Sequence, residues 1–149
     1  MSRGFFEIGI VRGKCPQNVG TLWRSAYQMG AGGVFTVGKR YPVQASDTLK
    51  TFRHIPHREF ADLAEFLRSM PFSCPLVGVE MGGKPLAGFT HPETAIYLLG
   101  SEDNGLSKAT LDCCHHVVSL PSVRTASYNV AVAGSLVMFD RQSKQGAWT

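Results

Sequence analysis

SLPSVRTASYNVAVAGSLVMFDR, residues Ser119–Arg141, joins the end of an apolar strand to an unusually apolar helix through a short polar loop. Pro121 ends the strand. Ser127 and Asn129 stand where the helix opens. A Ser and an Asn at the mouth of a buried helix are poor core material. They are good material for holding a polar ligand against free backbone N–H groups. The helix itself, read as Tyr128–Asp140, is apolar almost all round, so it must be covered on several sides. Both a central position in the domain and a subunit interface are expected of it.

Outward from this segment the chain alternates strands and helices, as an α/β sheet requires. Strands are expected at Phe5–Val11, Gly33–Val37, Leu76–Val79, Ala95–Leu99 and His116–Leu120. Helices are expected at Asn18–Met29, which Gly30 stops, at Arg58–Met70, where Phe60, Leu63, Ala64 and Leu67 share a face, and at Leu106–Cys114. The region Gly38–His57 reads as a long loop, Gly82–Pro85 as a turn, and the tail from Gln142 as loose. Short apolar strands, each followed by a crossover, imply a mainly parallel sheet with helices on both faces. Ligands of such sheets sit at the carboxyl ends of the strands. Here those ends are Val79–Glu80, Leu99–Gly100 and Leu120–Pro121.

The 149 residues fit one domain spanning 1–149, and no linker divides them. The longest apolar run, near Val130–Phe139, is too short to span a membrane. The first residues read as a strand carrying Glu7, not as a signal peptide, so a cytoplasmic protein is expected. With 15 Lys and Arg against 11 Asp and Glu, the net charge is +4. That permits attraction to a phosphate backbone without requiring it. Four cysteines, Cys15, Cys74, Cys113 and Cys114, lack any C-x-x-C spacing, so reduced thiols and no metal site are expected.

Two further segments place polar groups at strand-to-helix junctions. Asn18–Gly30 carries Asn18 and Arg24, which converge only if Asn18 caps its helix. The loop Gly100–Ser101–Glu102–Asp103–Asn104–Gly105 follows a strand and opens a helix. Its two carboxylates are wrong for cradling phosphate. Gly30–Ala31–Gly32–Gly33 precedes a strand instead of following one, so it is no dinucleotide fingerprint.

Together the three blocks resemble the SpoU (TrmH-like) branch of the SPOUT RNA methyltransferases. The first is N-V-G-T-L-W-R, from Asn18 to Arg24. The second is an apolar strand ending in G-S-E-D-N-G-L, Gly100 to Leu106. The third is an apolar strand, Pro121, a loop, and S-Y-N-V-A-V-A from Ser127 to Ala133. Three motifs in order, at the ends of the expected strands, carry the resemblance over nearly the whole chain.

The resemblance implies a C-terminal deep trefoil knot, a homodimer and S-adenosylmethionine as cofactor. It implies a cofactor pocket built from Val79, Glu80, Gly82, Leu99, Gly100, Glu102, Leu120, Ser127, Asn129 and Val130. The implied reaction is methyl transfer to a ribose 2′-hydroxyl of RNA, with tRNA expected first because the chain resembles the short, single-domain members. Arg24, Asn18, Glu102, Ser127 and Asn129 would carry the chemistry. Arg24 would grip a phosphate and stabilise the emerging alkoxide, since arginine is effectively always charged. Glu102 would pair with Arg24 or orient its fork. Arg12, Lys14, Arg24, Arg53 and Arg124 would contact RNA. Alternatives are rRNA ribose methylation, a non-catalytic RNA-binding protein of the same fold, methylation of a base nitrogen, and a generic nucleotide-binding α/β protein.

Overall fold

A computed structural model describes residues 4–40, 55–124 and 127–148. Six strands form one sheet: β1 (Phe5–Val11), β2 (Gly33–Val37), β3 (His57–Phe60), β4 (Leu76–Pro85), β5 (Thr94–Leu99) and β6 (His116–Ser119). Their order is β3-β2-β1-β5-β4-β6, and every pairing is parallel. The connection after β1 runs one way along the sheet, to β2, and the connection after β5 runs the other way, past β4 to β6. The strand order reverses between β1 and β5, which makes their carboxyl ends the topological switch point.

Helices cover both faces. On one, α1 (Pro16–Gln28) and α4 (Val130–Lys144) lie against each other and against the sheet. Ile8, Leu22, Leu99, Val137 and Met138 form the core there. On the other, α2 (Leu63–Arg68) and α3 (Lys108–Asp112) cover a second core around Phe35, Leu76, Ile96 and Leu98. Two-faced burial explains why these strands read as continuous apolar runs instead of alternating ones.

Several expected boundaries move. The helix expected at Arg58–Met70 is an edge strand followed by a short helix. His57–Phe60 pairs with β2, and Asp62 starts α2 by accepting the Glu65 N–H at 2.8 Å. Arg58 pairs with Glu7, a buried carboxylate of β1. Arg53 lies outside the described residues. The turn expected at Gly82–Pro85 is part of β4, whose register against β6 breaks between Val79 and Lys84. The chain between them makes an excursion, from which Gly83 returns to β6, its carbonyl accepting the Ser119 hydroxyl at 2.9 Å. The helix read as Leu106–Cys114 is α3 alone, capped by Ser107. The last helix starts at Val130 and runs on to Lys144, so the tail is not loose there. Gln142 donates to the Met29 carbonyl at 2.5 Å, and Lys144 donates to Leu86 and Phe89 carbonyls. Among the described residues no helix is long and apolar enough to cross a membrane.

Candidate functional site

The ends of β4, β5 and β6 enclose a cavity of about 610 Å³. That is the size range of small-molecule sites. Val79, Glu80, Gly82, Leu99, Gly100, Glu102, Leu120, Ser127 and Val130 all line it. The sequence marked each of these as part of one pocket. Asn129, marked with them, stands just behind the lining. Its side-chain oxygen caps α4 by accepting the N–H groups of Ala131 and Val132 at 2.9 and 3.2 Å. Capping of this kind satisfies helix donors that otherwise lack partners.

The loops are braced against each other by one carboxylate. Glu80 accepts the Met81 N–H at 3.0 Å and the Leu106 N–H at 2.6 Å, tying the β4 excursion to the β5 loop. The loop Ser101–Gly105 folds tightly enough that Gly105 N–H reaches the Ser101 carbonyl at 3.0 Å. Gly105 has φ +65°, and a Cβ there would fall on the Glu80 carboxylate. A Cβ at Gly100 would fall on the Gly105 backbone. Both positions therefore require the absence of a side chain.

The second carboxylate of the rim does different work. Glu102 accepts the Lys14 and Cys15 N–H groups, each at 2.9 Å, and the Asn18 amide at 2.7 Å. Helix α1 begins at Pro16, and Cys15 offers it no side-chain cap. Glu102 supplies the missing acceptor from a distant loop, with its negative charge at the positive end of the helix dipole. Burial, the largest single influence, pushes its carboxyl up, but the hydrogen bonds from Lys14, Cys15 and Asn18 outweigh it and hold the group below the usual range.

Two expectations change here. Asn18 is the third residue of α1 and not its cap, and Glu102 pairs with Asn18 and the helix start, not with Arg24. Asn18 in turn accepts from the Asn129 amide at 3.0 Å. Glu102, Asn18 and Asn129 thus form one hydrogen-bonded chain beside the cavity. Each comes from a different motif.

Arg24 is exposed on α1 and is not among the lining residues. Arg124 lines the cavity, while Arg12 and Lys14 are exposed on the loop after β1. Two exposed groups close the rim: Asp103 receives a bidentate Arg40 guanidinium at 2.9 and 3.3 Å. That hydrogen bond first, then one from Ser101, lowers the Asp103 carboxyl to about 2. Met81 and Tyr128 also line the cavity and lie inside the implied stretches Val79–Gly82 and Ser127–Val130, whereas Ser119, Ser122 and Ala133 line it and were missed. The Tyr128 hydroxyl donates to the Pro121 carbonyl at 2.6 Å and closes the last loop. Its place between Ser127 and Asn129 was the available signal.

An open parallel α/β sheet with a carboxylate-bearing cavity at three strand ends is the class that fold and site define. Within that class the chain belongs to the SpoU rRNA methylase family, whose model matches residues 6–139. Over 148 residues it is 28% identical to the 23S rRNA (uridine(2479)-2′-O)-methyltransferase of Streptomyces viridochromogenes, covering 91% of this chain and 52% of that protein. Over 143 residues it is 24% identical to the 23S rRNA (guanosine-2′-O-)-methyltransferase RlmB of Neisseria meningitidis, covering 87% and 55%. The chain spans about half the length of these relatives. Its fold matches the SpoU methyltransferase AviRb from Streptomyces viridochromogenes, solved with AdoMet, at a TM-score of 0.86 and 23% identity, over 99% of this chain and 60% of that one. A chain solved in a study of 2′-OH methylation of C/U34 on tRNA matches at 0.86 and 19% identity, over 98% and 94%.

Proposed function

We propose that the chain is an S-adenosylmethionine-dependent RNA methyltransferase acting on a ribose 2′-hydroxyl. The observation that carries the reading is the Glu102–Asn18–Asn129 chain, which joins all three motifs beside one cavity. The cavity fits the cofactor in kind. Its rim holds Glu80 and Glu102, carboxylates suited to a cation such as a sulfonium.

S-adenosylmethionine would supply an activated methyl group, so the protein's task is alignment. Val79–Gly82, Leu99–Glu102, Leu120 and Ser127–Val130 would hold it. Ser127 and Asn129 would orient the nucleotide. Arg24 would grip a backbone phosphate and stabilise negative charge developing on the ribose oxygen. Lys14 and Arg124 would add phosphate contacts.

The active form would be a homodimer. What supports this is the outer face of α4, where Val132, Leu136 and Phe139 are exposed at helical spacing and Trp148 stacks on Phe139. Arg24 would then face the shared cleft. The reading includes the C-terminal trefoil knot, supported by α4 returning to α1 and β5 instead of staying beside β6. For substrate we place tRNA first, on the resemblance to short members of the family. Ribosomal RNA is the second reading, favoured by the names of the sequence relatives.

Nucleoside mass spectrometry of separated tRNA and rRNA, with and without the gene, should show one ribose methyl mark lost from one fraction. With that RNA in hand, Arg24→Ala should lower kcat by a factor of about 10²–10³ while calorimetric affinity for S-adenosylmethionine stays unchanged. Full activity in the folded variant would remove Arg24 from the mechanism. No calorimetric binding of the cofactor to the wild type would favour a non-catalytic RNA-binding protein.

A further inference from the structure

A second crevice of about 350 Å³ opens at the carboxyl ends of β1, β2, β3 and β5. It faces α2 and α3, and it shares only the wall Ser101–Asn104–Gly105 with the larger cavity. It sits at the switch point between β1 and β5, where open parallel sheets hold ligands. The larger cavity, at the ends of β4, β5 and β6, lies to one side of that point. The motifs that join the larger cavity leave this crevice without a role.

Its lining is specific. Val11, Val37 and Leu63 give it aliphatic sides. Arg12 and Asp62 stand on its edge with one charge each, so it carries no net charge to favour a bare anion. Arg12 has φ +56°, a left-handed conformation that a non-glycine residue keeps only where neighbours impose it. They do: its N–H donates to the Val37 carbonyl at 2.6 Å, and its carbonyl accepts from Arg40 Nε at 2.9 Å. The Arg12 guanidinium and the Asn104 side-chain amide have no partner among the described residues. A flat-sided apolar slot with free N–H donors and an amide oxygen at its mouth suits a heterocycle with hydrogen-bonding edges.

We propose that this crevice receives a nucleobase of the RNA strand. The inference rests on the proposed function. The thin shared wall would let one nucleotide place its ribose toward the larger cavity and its base in the smaller one. Extruding a base costs a few kcal/mol in stacking, least for a nucleotide already in a loop, so the crevice would favour single-stranded targets.

The test uses ¹⁵N-labelled protein with S-adenosylhomocysteine added to saturation. Ribonucleoside 5′-monophosphates, a short single-stranded RNA and inorganic phosphate are then titrated separately. Monophosphates and RNA should shift the amides of Arg12, Ser101, Asn104 and Ala109. Ala109→Trp, an exposed site on α3 that lines the crevice, should fill it and weaken both ligands by about tenfold or more. Shifts from S-adenosylhomocysteine at Ser127–Val130 should keep their size in that variant. Equal affinity in Ala109→Trp would overturn the proposal. So would the same shifts from inorganic phosphate, or monophosphate binding that RNA does not displace. Absence of S-adenosylhomocysteine shifts in the wild type would instead overturn the proposed function, and the crevice would be judged on the same titrations without it.

Discussion

At the scale of single residues, Glu102 has the most distinctive position. It is a side chain of the β5 loop that completes the start of α1, 87 residues earlier in the chain. Glu102→Gln replaces one acceptor oxygen by an NH₂ group that faces N–H donors it cannot bond. The substitution should destabilise the protein by about 1–2 kcal/mol, in the range of a lost helix cap. For a chain of this size that lowers Tm by about 2–4 °C per kcal/mol, readable by calorimetry. An unchanged Tm would mean that Lys14 and Cys15 find water as good a partner. The resemblance named Glu102, Asn18 and Asn129 together, and their place at strand-to-helix junctions was legible in the sequence. Their pairing was not. Spacing along α1 says where Arg24 lies relative to Asn18, but nothing about which distant loop approaches the helix start.

At the scale of elements, β3 is the segment that sequence periodicity misassigned. Phe60, Leu63 and Leu67 all pack on the second core, but Phe60 does so from β3 and the other two from α2. A four-residue edge strand with exposed Arg58 and Glu59 leaves too little alternation to declare itself. Pairing with β2, the ion pairs Arg58–Glu7 and Lys39–Glu59, and the packing of Phe60 on Phe35 and Phe66 stabilise it as a strand. Arg58→Ala leaves the Glu7 carboxylate buried without that partner, which should cost about 1–3 kcal/mol in urea unfolding. A neutral result would show that Glu7 is reached by water. By contrast, the apolar character of α4 was fully legible, including the need for a covering partner. Leu136 sits on its exposed stripe, so Leu136→Glu should leave the fold intact and shift the proposed dimer to monomer in sedimentation equilibrium. A monomeric wild type would refute the dimer.

At the scale of the whole molecule, titratable groups lock the sheet to its helices, and four of them, His57, His91, Glu102 and Asp103, are shifted downward. His91 is buried between Tyr97 and Asp140, with ring nitrogens 2.7 Å from each. A neutral imidazole satisfies both if Nε2–H donates to Asp140 and Nδ1 accepts from the Tyr97 hydroxyl, which in turn accepts from buried Arg141 at 3.1 Å. Burial lowers the titration of His91, partly opposed by Asp140, and burial likewise lowers that of His57, which stacks on Trp23 beneath the edge strand. In both cases the unfolded chain takes up protons first as pH falls below the ordinary value of 6.5. The unfolded state then binds more protons, so stability decreases, by at most about 1.4 kcal/mol per pH unit for each group. Glu102 and Asp103 act in the same sense lower down. Their stabilisation is complete above the ordinary carboxylate values of 4.5 and 3.8, and it is lost as pH falls through their lowered values, about 2 for Asp103. Unfolding free energy from urea titrations should therefore be level around pH 7, fall in a first step beginning near pH 6.5, and fall again below about pH 4.5. His57→Gln should shallow the first step and leave the second, whereas Glu102→Gln should shallow the second and leave the first. A profile level from pH 7 to pH 5 in the wild type would mean that neither imidazole is held neutral by the fold. The hydrogen-bond assignment that ties α4 to β5 through His91 would fall with it.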